Sequence, residues 1–289
     1  MSTATVQPRV ITANMPHLTT AHRPEPVSLE TDEQVLDRLR SRFTILDEMT
    51  EAVKRGDVRG MIVSGPPGVG KSFGVEQVLA KYDLFADVAQ DESLKKYEIA
   101  KGNMSALGLY QMLWQYRDKK SIVVFDDMDS VLFDEVALNL LKAALDTGRK
   151  RVLSWHTESR VLKDAGIPNS FNFEGGCIFI TNVDFAHVRS KKLKDHLDAL
   201  ESRCHYLDLT IHTEREKMLR IKQIINDGML ARYGFEHSEQ EEIIEFIDAN
   251  RKRMRELSLR MVVKVADLRK SMPKTWQDVT TITCMRPVR

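Results

Sequence analysis

Residues 65–72 read GPPGVGKS and fit GxxxxGK[ST], the spacing of a loop that wraps phosphate groups. Gly65, Pro66, Pro67, Gly68, Val69 and Gly70 form the loop. Gly68 and Gly70 let the backbone turn so that its N–H groups converge on phosphate oxygens, with the positive end of the following helix behind them. Lys71 then supplies a point charge to the β- and γ-phosphates, Ser72 a hydroxyl ligand for Mg²⁺, and Phe73 continues into the helix. A second constellation, SIVVFDDMDS at 121–130, ends an apolar run in acids. Asp126 at the carboxyl end of a buried strand can hold the metal, directly or through water, and Asp127 is the candidate base for an attacking water. Asp129 reads as a helix cap before the helical run from Val131 to Asp146, with a third catalytic acid as the alternative.

These groups need a scaffold, and the chain supplies one. Short continuous apolar runs, MIV at 61–63, YEIA at 97–100, IVVF at 122–125, CIFI at 177–180 and YLDL at 206–209, alternate with helical patterns. This predicts strands of a mainly parallel sheet covered on both faces, an α/β architecture to about residue 210. Ahead of it, Thr31 and Gln34 make a capping box, and Val35, Leu39, Phe43, Leu46 and Val53 continue at helical spacing. Residues 1–30, rich in Thr, Pro and polar side chains, are expected to be a flexible N-terminal arm. Beyond 211 the pattern is all-helical: capping boxes at Thr213/Glu216 and Ser238/Glu241, a stop at Gly234, and a helix from near Ser258 ended by Pro273. The expected divisions are therefore 31–211 for the α/β domain, 212–273 for a small helical domain and 274–289 for a C-terminal tail.

Bulk properties exclude more than they assign. The 289 residues carry 43 Lys and Arg against 42 Asp and Glu, so a nucleic-acid or membrane partner would need a local patch. Cys177, Cys204 and Cys284 match neither a zinc spacing nor a disulfide framework. No apolar run approaches the ~18 residues of a membrane span, and no secretion signal opens the chain, so a cytoplasmic protein is expected.

GPPGVGKS followed some fifty residues later by IVVFDD resembles the AAA+ ATPases, over about residues 32–272. The resemblance implies a P-loop NTPase sheet of order 5-1-4-3-2 flanked by helices, a helical lid, and ATP with Mg²⁺ as nucleotide and cofactor. It also implies self-association into a homo-oligomeric, hexameric ring whose active sites are shared between neighbours. Asp127 stands where the family usually has Glu, one methylene longer: either it still reaches the water or hydrolysis is slow. Asn182, ending FITN, matches the family's first sensor, which orients the water. Arg260 in ELSLRMVV matches the second sensor, with Arg255 its rival. Arg203 in ESRC resembles the arginine that clamp-loader ATPases extend into a neighbour's site.

The family branch is ambiguous. Residues 149–176 insert a segment whose runs RVLSWHT and SFNFEG could pair as a β-hairpin, resembling the hairpin of helicase, activator and chelatase-like branches. Arg149, Lys150 and Arg151 at its base would suit a phosphate backbone, as could RSKKLK at 189–194 and RKRMR at 251–255, although such runs can also be solvated faces. Tyr97 and Tyr110 do not clearly match the aromatic position of protein-threading relatives. Two functions are expected to compete. One is a ring ATPase remodelling single- or double-stranded DNA or a nucleoprotein complex, of helicase, helicase-loader or replication/packaging type, phage-like in its compactness. The other is a slowly hydrolysing ATP-dependent switch, adaptor or protein-remodelling ATPase without nucleic-acid contact.

Overall fold

The computed structural model describes residues 30–81, 88–91 and 94–287; the expected N-terminal arm lies outside them except for Glu30. Five strands form one parallel sheet: β1 (Gly60–Ser64), β2 (Tyr97–Lys101), β3 (Ile122–Asp126), β6 (Gly176–Thr181) and β7 (His205–Asp208), in the order β2-β3-β6-β1-β7. All five coincide with the apolar runs of the sequence. Numbered among themselves in chain order, they stand 5-1-4-3-2 across the sheet.

Alternate residues of each central strand enter different cores, which is why the runs are continuously apolar rather than alternating. Met61, Val63, Ile122, Val124, Ile178 and Ile180 face helices α1 (Asp32–Arg55) and α2 (Lys71–Leu79), meeting Leu46, Val53, Val75 and Leu79. Ile62, Val123, Phe125, Cys177 and Phe179 face the opposite helices, α3 (Ala106–Gln115), α5 (Glu135–Ala144) and α7 (Lys191–Glu201). The Thr31–Gln34 capping box starts α1 as expected, and Gly56 in the left-handed region ends it.

The run from Val131 to Asp146 is broken. Helix α4 (Asp129–Phe133) stops at Asp134, whose carboxylate accepts from the Ala137 N–H and so caps α5. Asp129 is therefore not the cap; it lies in the first turn of α4 and accepts from the Thr181 hydroxyl at 2.7 Å. The 149–176 insertion forms an antiparallel ribbon of β4 (Val152–Ser154) and β5 (Ser170–Asn172), joined through the short helix α6 (Arg160–Asp164). Tyr110 and Trp114 of α3 clamp it by edge and tilted contacts with Phe171 and Trp155. Tyr110 is fully buried and donates to Pro168 O at 2.9 Å, so it is core rather than channel lining.

The last third builds its own apolar cluster from α8 (Glu214–Ile224), α9 (His237–Ala249), α10 (Leu259–Ser271) and α11 (Trp276–Cys284). Two expectations are corrected here. Helix α9 starts at His237, with Glu239 accepting from the Glu236 N–H, which puts Ser238 inside the first turn rather than at the cap. Residues 274–289 are not simply a tail: α11 buries Trp276, Thr280 and Cys284, and Arg255 N and Arg286 N bond Cys284 O and Arg253 O. The four-residue spacing of those three buried side chains is what a single helical face requires.

Candidate nucleotide site

The loop after β1 is held by left-handed glycines. Gly68 (φ 72°) and Gly70 (φ 105°) occupy a region that a side chain enters only at a cost. A Cβ on Gly68 would also sit 2.7 Å from the Ser258 Cβ, at the start of α10. That close approach lets the Leu259 N–H donate to Gly68 O at 2.8 Å, tying the helical cluster to the loop. Val69 is buried among Val35, Leu39 and Ile211, anchoring the loop from beneath; Pro66 is half-buried and Pro67 exposed.

Five of the polar side chains expected to do chemistry fall into a chain of three and a neighbouring pair. Lys71, only 5% exposed, donates from Nζ to Gly65 O (2.7 Å), Pro66 O (3.0 Å) and Asn182 Oδ1 (2.7 Å). An ammonium only donates, so the Asn182 oxygen must face Lys71, leaving its amide Nδ2 to donate to Asp127 Oδ1 at 2.8 Å. Beside this chain, Ser72 Oγ donates to Asp126 Oδ1 at 2.7 Å. Asp126 and Asn182 arrive together because β3 and β6 are in parallel register, with Asp126 opposite Ile180. Burial lowers the Lys71 pKa, opposed by the charges of Asp127 and Asp126. The Asp127 pKa is raised, first by desolvation and then by the neighbouring Asp126 carboxylate. Asp127 also has φ 53°, an unusual left-handed conformation for a non-glycine residue, while its N–H donates to Ile180 O at 3.0 Å.

Two neighbours escape sequence reading. Lys101 ends β2 opposite Asp126 in register and places Nζ 3.2 Å from Asp126 Oδ2 and 2.8 Å from Glu76 Oε1. A cavity of about 530 Å³ also opens between the loop and the C-terminal helices, with Lys71, Ser72 and Phe73 on the loop side and Ile224, Asp227, Met229, Arg260 and Val263 on the helical side. Its far wall includes the turn after α8, where Gly228 takes φ 97°; widened turns of this kind often mark functional positions. Phe73 is 63% exposed. Arg260 lines this cavity and Arg255 does not.

Arg203 stands apart. It lies at the far end of α7, before β7, with Nη1 donating to Ala199 O at 2.6 Å and with its buried Nε lacking a partner. Arg203 is not among the residues that line the loop cavity.

No family model matches this sequence. Over 255 residues it is 36% identical to the "Uncharacterized 36.7 kDa protein in nrdC-mobD intergenic region" of Enterobacteria phage T4, covering 87% of this chain and 76% of that protein. The chain belongs to the family of that phage protein. A phage relative accords with the phage-like compactness of the sequence. Against solved structures, this member of the phage family is similar to a crystal structure of a DNA replication initiation factor, with TM-score 0.42 and 15% identity. That likeness covers 80% of this chain and spans about 60% of the other. No helix among the described residues of the phage-family chain is long and apolar enough to cross a membrane.

The site fits the groups expected from the motif. Gly68 and Gly70 take the left-handed turns that a phosphate-wrapping loop needs, and Ser72 Oγ with Asp126 Oδ1 forms the hard-oxygen pair suited to Mg²⁺.

Proposed function

We propose that this protein is an AAA+ type ATPase that binds ATP between residues 31–211 and a helical lid comprising 212–273 and α11, and hydrolyses it. The observation that carries this reading is the Lys71–Asn182–Asp127 chain beside the Ser72–Asp126 pair, at the carboxyl ends of β1, β3 and β6. Ligands of open parallel sheets bind at that edge.

In this reading the 65–70 backbone and Lys71 hold the phosphates, and Ser72 and Asp126 hold Mg²⁺. The metal would neutralise charge on the phosphates when bound. Asp127 accepts the proton of the attacking water, and its raised pKa suits a base working nearer neutrality. Asn182 holds Asp127 in place and, once Lys71 turns to phosphate, has an oxygen free to orient the water. Arg260 reaches the phosphates from the lid, while Ile224, Met229 and Val263 flank the adenine.

Arg203 acts in a neighbouring copy, so that a homo-oligomeric, hexameric ring is the working form and a lone subunit turns over slowly. Its place before β7, outside the residues that line its own loop cavity, supports that assignment. DNA or a nucleoprotein complex is the proposed substrate, with the β4–β5 ribbon facing it. The competing reading, a slowly hydrolysing switch or adaptor, is favoured by the short side chain of Asp127.

The test is ATP turnover across a protein-concentration series, with and without single-stranded DNA. It compares wild type, Lys71→Ala, Arg203→Ala and an equal mixture of the two variants. Turnover that rises with concentration, is lost in each variant and partly returns in the mixture supports shared sites, and stimulation by DNA supports the nucleic-acid motor. Concentration-independent turnover that survives Arg203→Ala would remove the ring from the reading.

A further inference from the structure

A second cleft, of about 420 Å³, opens at the other edge of the sheet. It lies by the amino ends of β1, β3 and β6, between the end of α1, the 119–120 loop and the foot of the β4–β5 ribbon. Six cationic side chains line it: Arg59, Lys119, Lys120, Arg149, Lys150 and Arg151. Among the described residues Glu174 is the one carboxylate in the lining.

Such a concentration of like charge is unfavourable unless an anion shares the space. Some exposed cations elsewhere on this surface pair with acids, as Lys192 does with Glu135 and Arg40 with Asp37. Here Arg59, Lys119, Arg149, Lys150 and Arg151 have no carboxylate of the described residues within salt-bridge distance.

Two of the six are anchored, so the charge is built into the fold. Arg59 Nη1 donates to Asp146 O at 2.5 Å and Gly148 O at 3.2 Å, which fixes the turn that presents Arg149 and Lys150. Arg151 Nη1 donates to Ala144 O at 2.8 Å and Gly175 O at 3.0 Å, with its guanidinium over the Phe173 ring at 5.2 Å. Neutral carbonyls hold both guanidinium groups in place without cancelling their charge. Burial lowers the Arg151 pKa, and the Arg59 charge adds to that, while Cys177 and Glu174 oppose it. Lys119, Lys120, Arg149 and Lys150 are exposed around this fixed pair.

We infer that this cleft seats the phosphodiester backbone of DNA, an inference that rests on the DNA-directed half of the reading above. Successive phosphates match a line of ammonium and guanidinium groups without any base being read, so contact there is independent of sequence. The strands that end at the nucleotide site begin at this cleft.

The experiment is fluorescence anisotropy of labelled oligothymidylate with the full chain, without nucleotide, over a series of salt concentrations. The double variant Arg149→Glu/Lys150→Glu should weaken binding at least tenfold. It should also flatten the slope of log K against log salt by about 1.4, two contacts at ~0.7 each for a single strand. A charge-matched double variant far from the cleft, Arg40→Glu/Lys274→Glu, should bind within about twofold of wild type, since bulk charge alone is a weak term at moderate salt. Equal losses in the two double variants, or no loss in a cleft variant whose melting curve matches wild type, overturn the inference. So does displacement of the labelled oligonucleotide by polyglutamate as effectively as by unlabelled oligothymidylate, which would point to an acidic protein. Tighter binding of labelled oligouridylate would reassign the cleft to RNA. Lys71→Ala should lose turnover yet bind oligothymidylate as wild type does, so failure of the cleft and failure of the ATPase reading are told apart.

Discussion

Asn182 donates its amide hydrogen to Asp127 at 2.8 Å while its oxygen accepts from Lys71, so one side chain fixes both the cation of the phosphate loop and the candidate base. Removing it leaves Lys71 its bonds to Gly65 O and Pro66 O and does not touch the Ser72–Asp126 pair. Asn182→Ala is expected to lower kcat of ATP hydrolysis by ~10²-fold, the low end of what positioned acid–base groups contribute. KM should stay within about threefold, because the altered interaction is made in the transition state. A variant that raises KM with kcat unchanged would make Asn182 a binding residue.

Asp127 must be ionised to accept a proton, and desolvation followed by Asp126 raises its pKa. The acid limb of kcat should therefore lie above the ~3.9 of an ordinary aspartate, with activity falling as pH drops through it. Asp127→Asn keeps the left-handed backbone well tolerated and should melt like wild type while abolishing turnover. Asp127→Glu lengthens the reach but puts a less tolerant residue at φ 53°, so it should lose about 1 kcal/mol of stability whatever it does to rate. An acid limb at the ordinary aspartate position, seen in a kcat–pH profile, would rule out this base.

Gly68 is required twice, by its φ of 72° and by the 2.7 Å that a Cβ would leave to Ser258. Gly68→Ala should destabilise the protein by about 1–3 kcal/mol, combining conformational strain with a steric shift of the α10 start. Thermal melting measures the loss, and binding of a fluorescent ATP analogue should weaken in parallel. Loss of stability with unchanged nucleotide affinity would show that the loop does not depend on α10.

Glu216 accepts from Arg38 and from the Thr213 and His212 N–H groups. Its burial alone would raise the pKa, but these hydrogen bonds bring it down to about 2. A depressed carboxylate pKa stabilises the fold above the unfolded value near 4.5, and that contribution is lost as pH falls toward 2. Glu216→Gln should cost about 1–2 kcal/mol at neutral pH. The difference from wild type should shrink between pH 5 and 2 in denaturant melts, and a difference constant over that range would refute the charge-based account.

The sheet was legible because burial on both faces leaves a signature that needs no partner: continuous β-rich runs such as IVVF and CIFI. Lys71, Ser72, Asp126, Asp127 and Asn182 were legible for a related reason, since each ends a strand or begins a helix and parallel register brings those ends together. The cavity wall at Ile224, Asp227 and Met229 was not. Its position depends on a widened turn after α8, and no local residue preference announces where such a turn faces. Lys101 was hidden because its meaning lies in lateral register with Asp126, a pairing between strands with two turns and a helix between them. Helix α11 was overlooked because Trp276, Thr280 and Cys284 are too mixed in polarity to read as one stripe, although Thr280 satisfies its hydroxyl within the helix at Trp276 O.

The hydrogen bond from Leu259 N–H to Gly68 O uses the first backbone donor of α10 on the very loop that would surround phosphate. A helix can swing away from that loop only by breaking this bond or by dragging the loop with it. In the proposed ATPase, gate and cradle are thus one mechanical part: the motion that would clear an exit path would also deform the grip, coupling departure of the spent nucleotide to opening of the C-terminal helices.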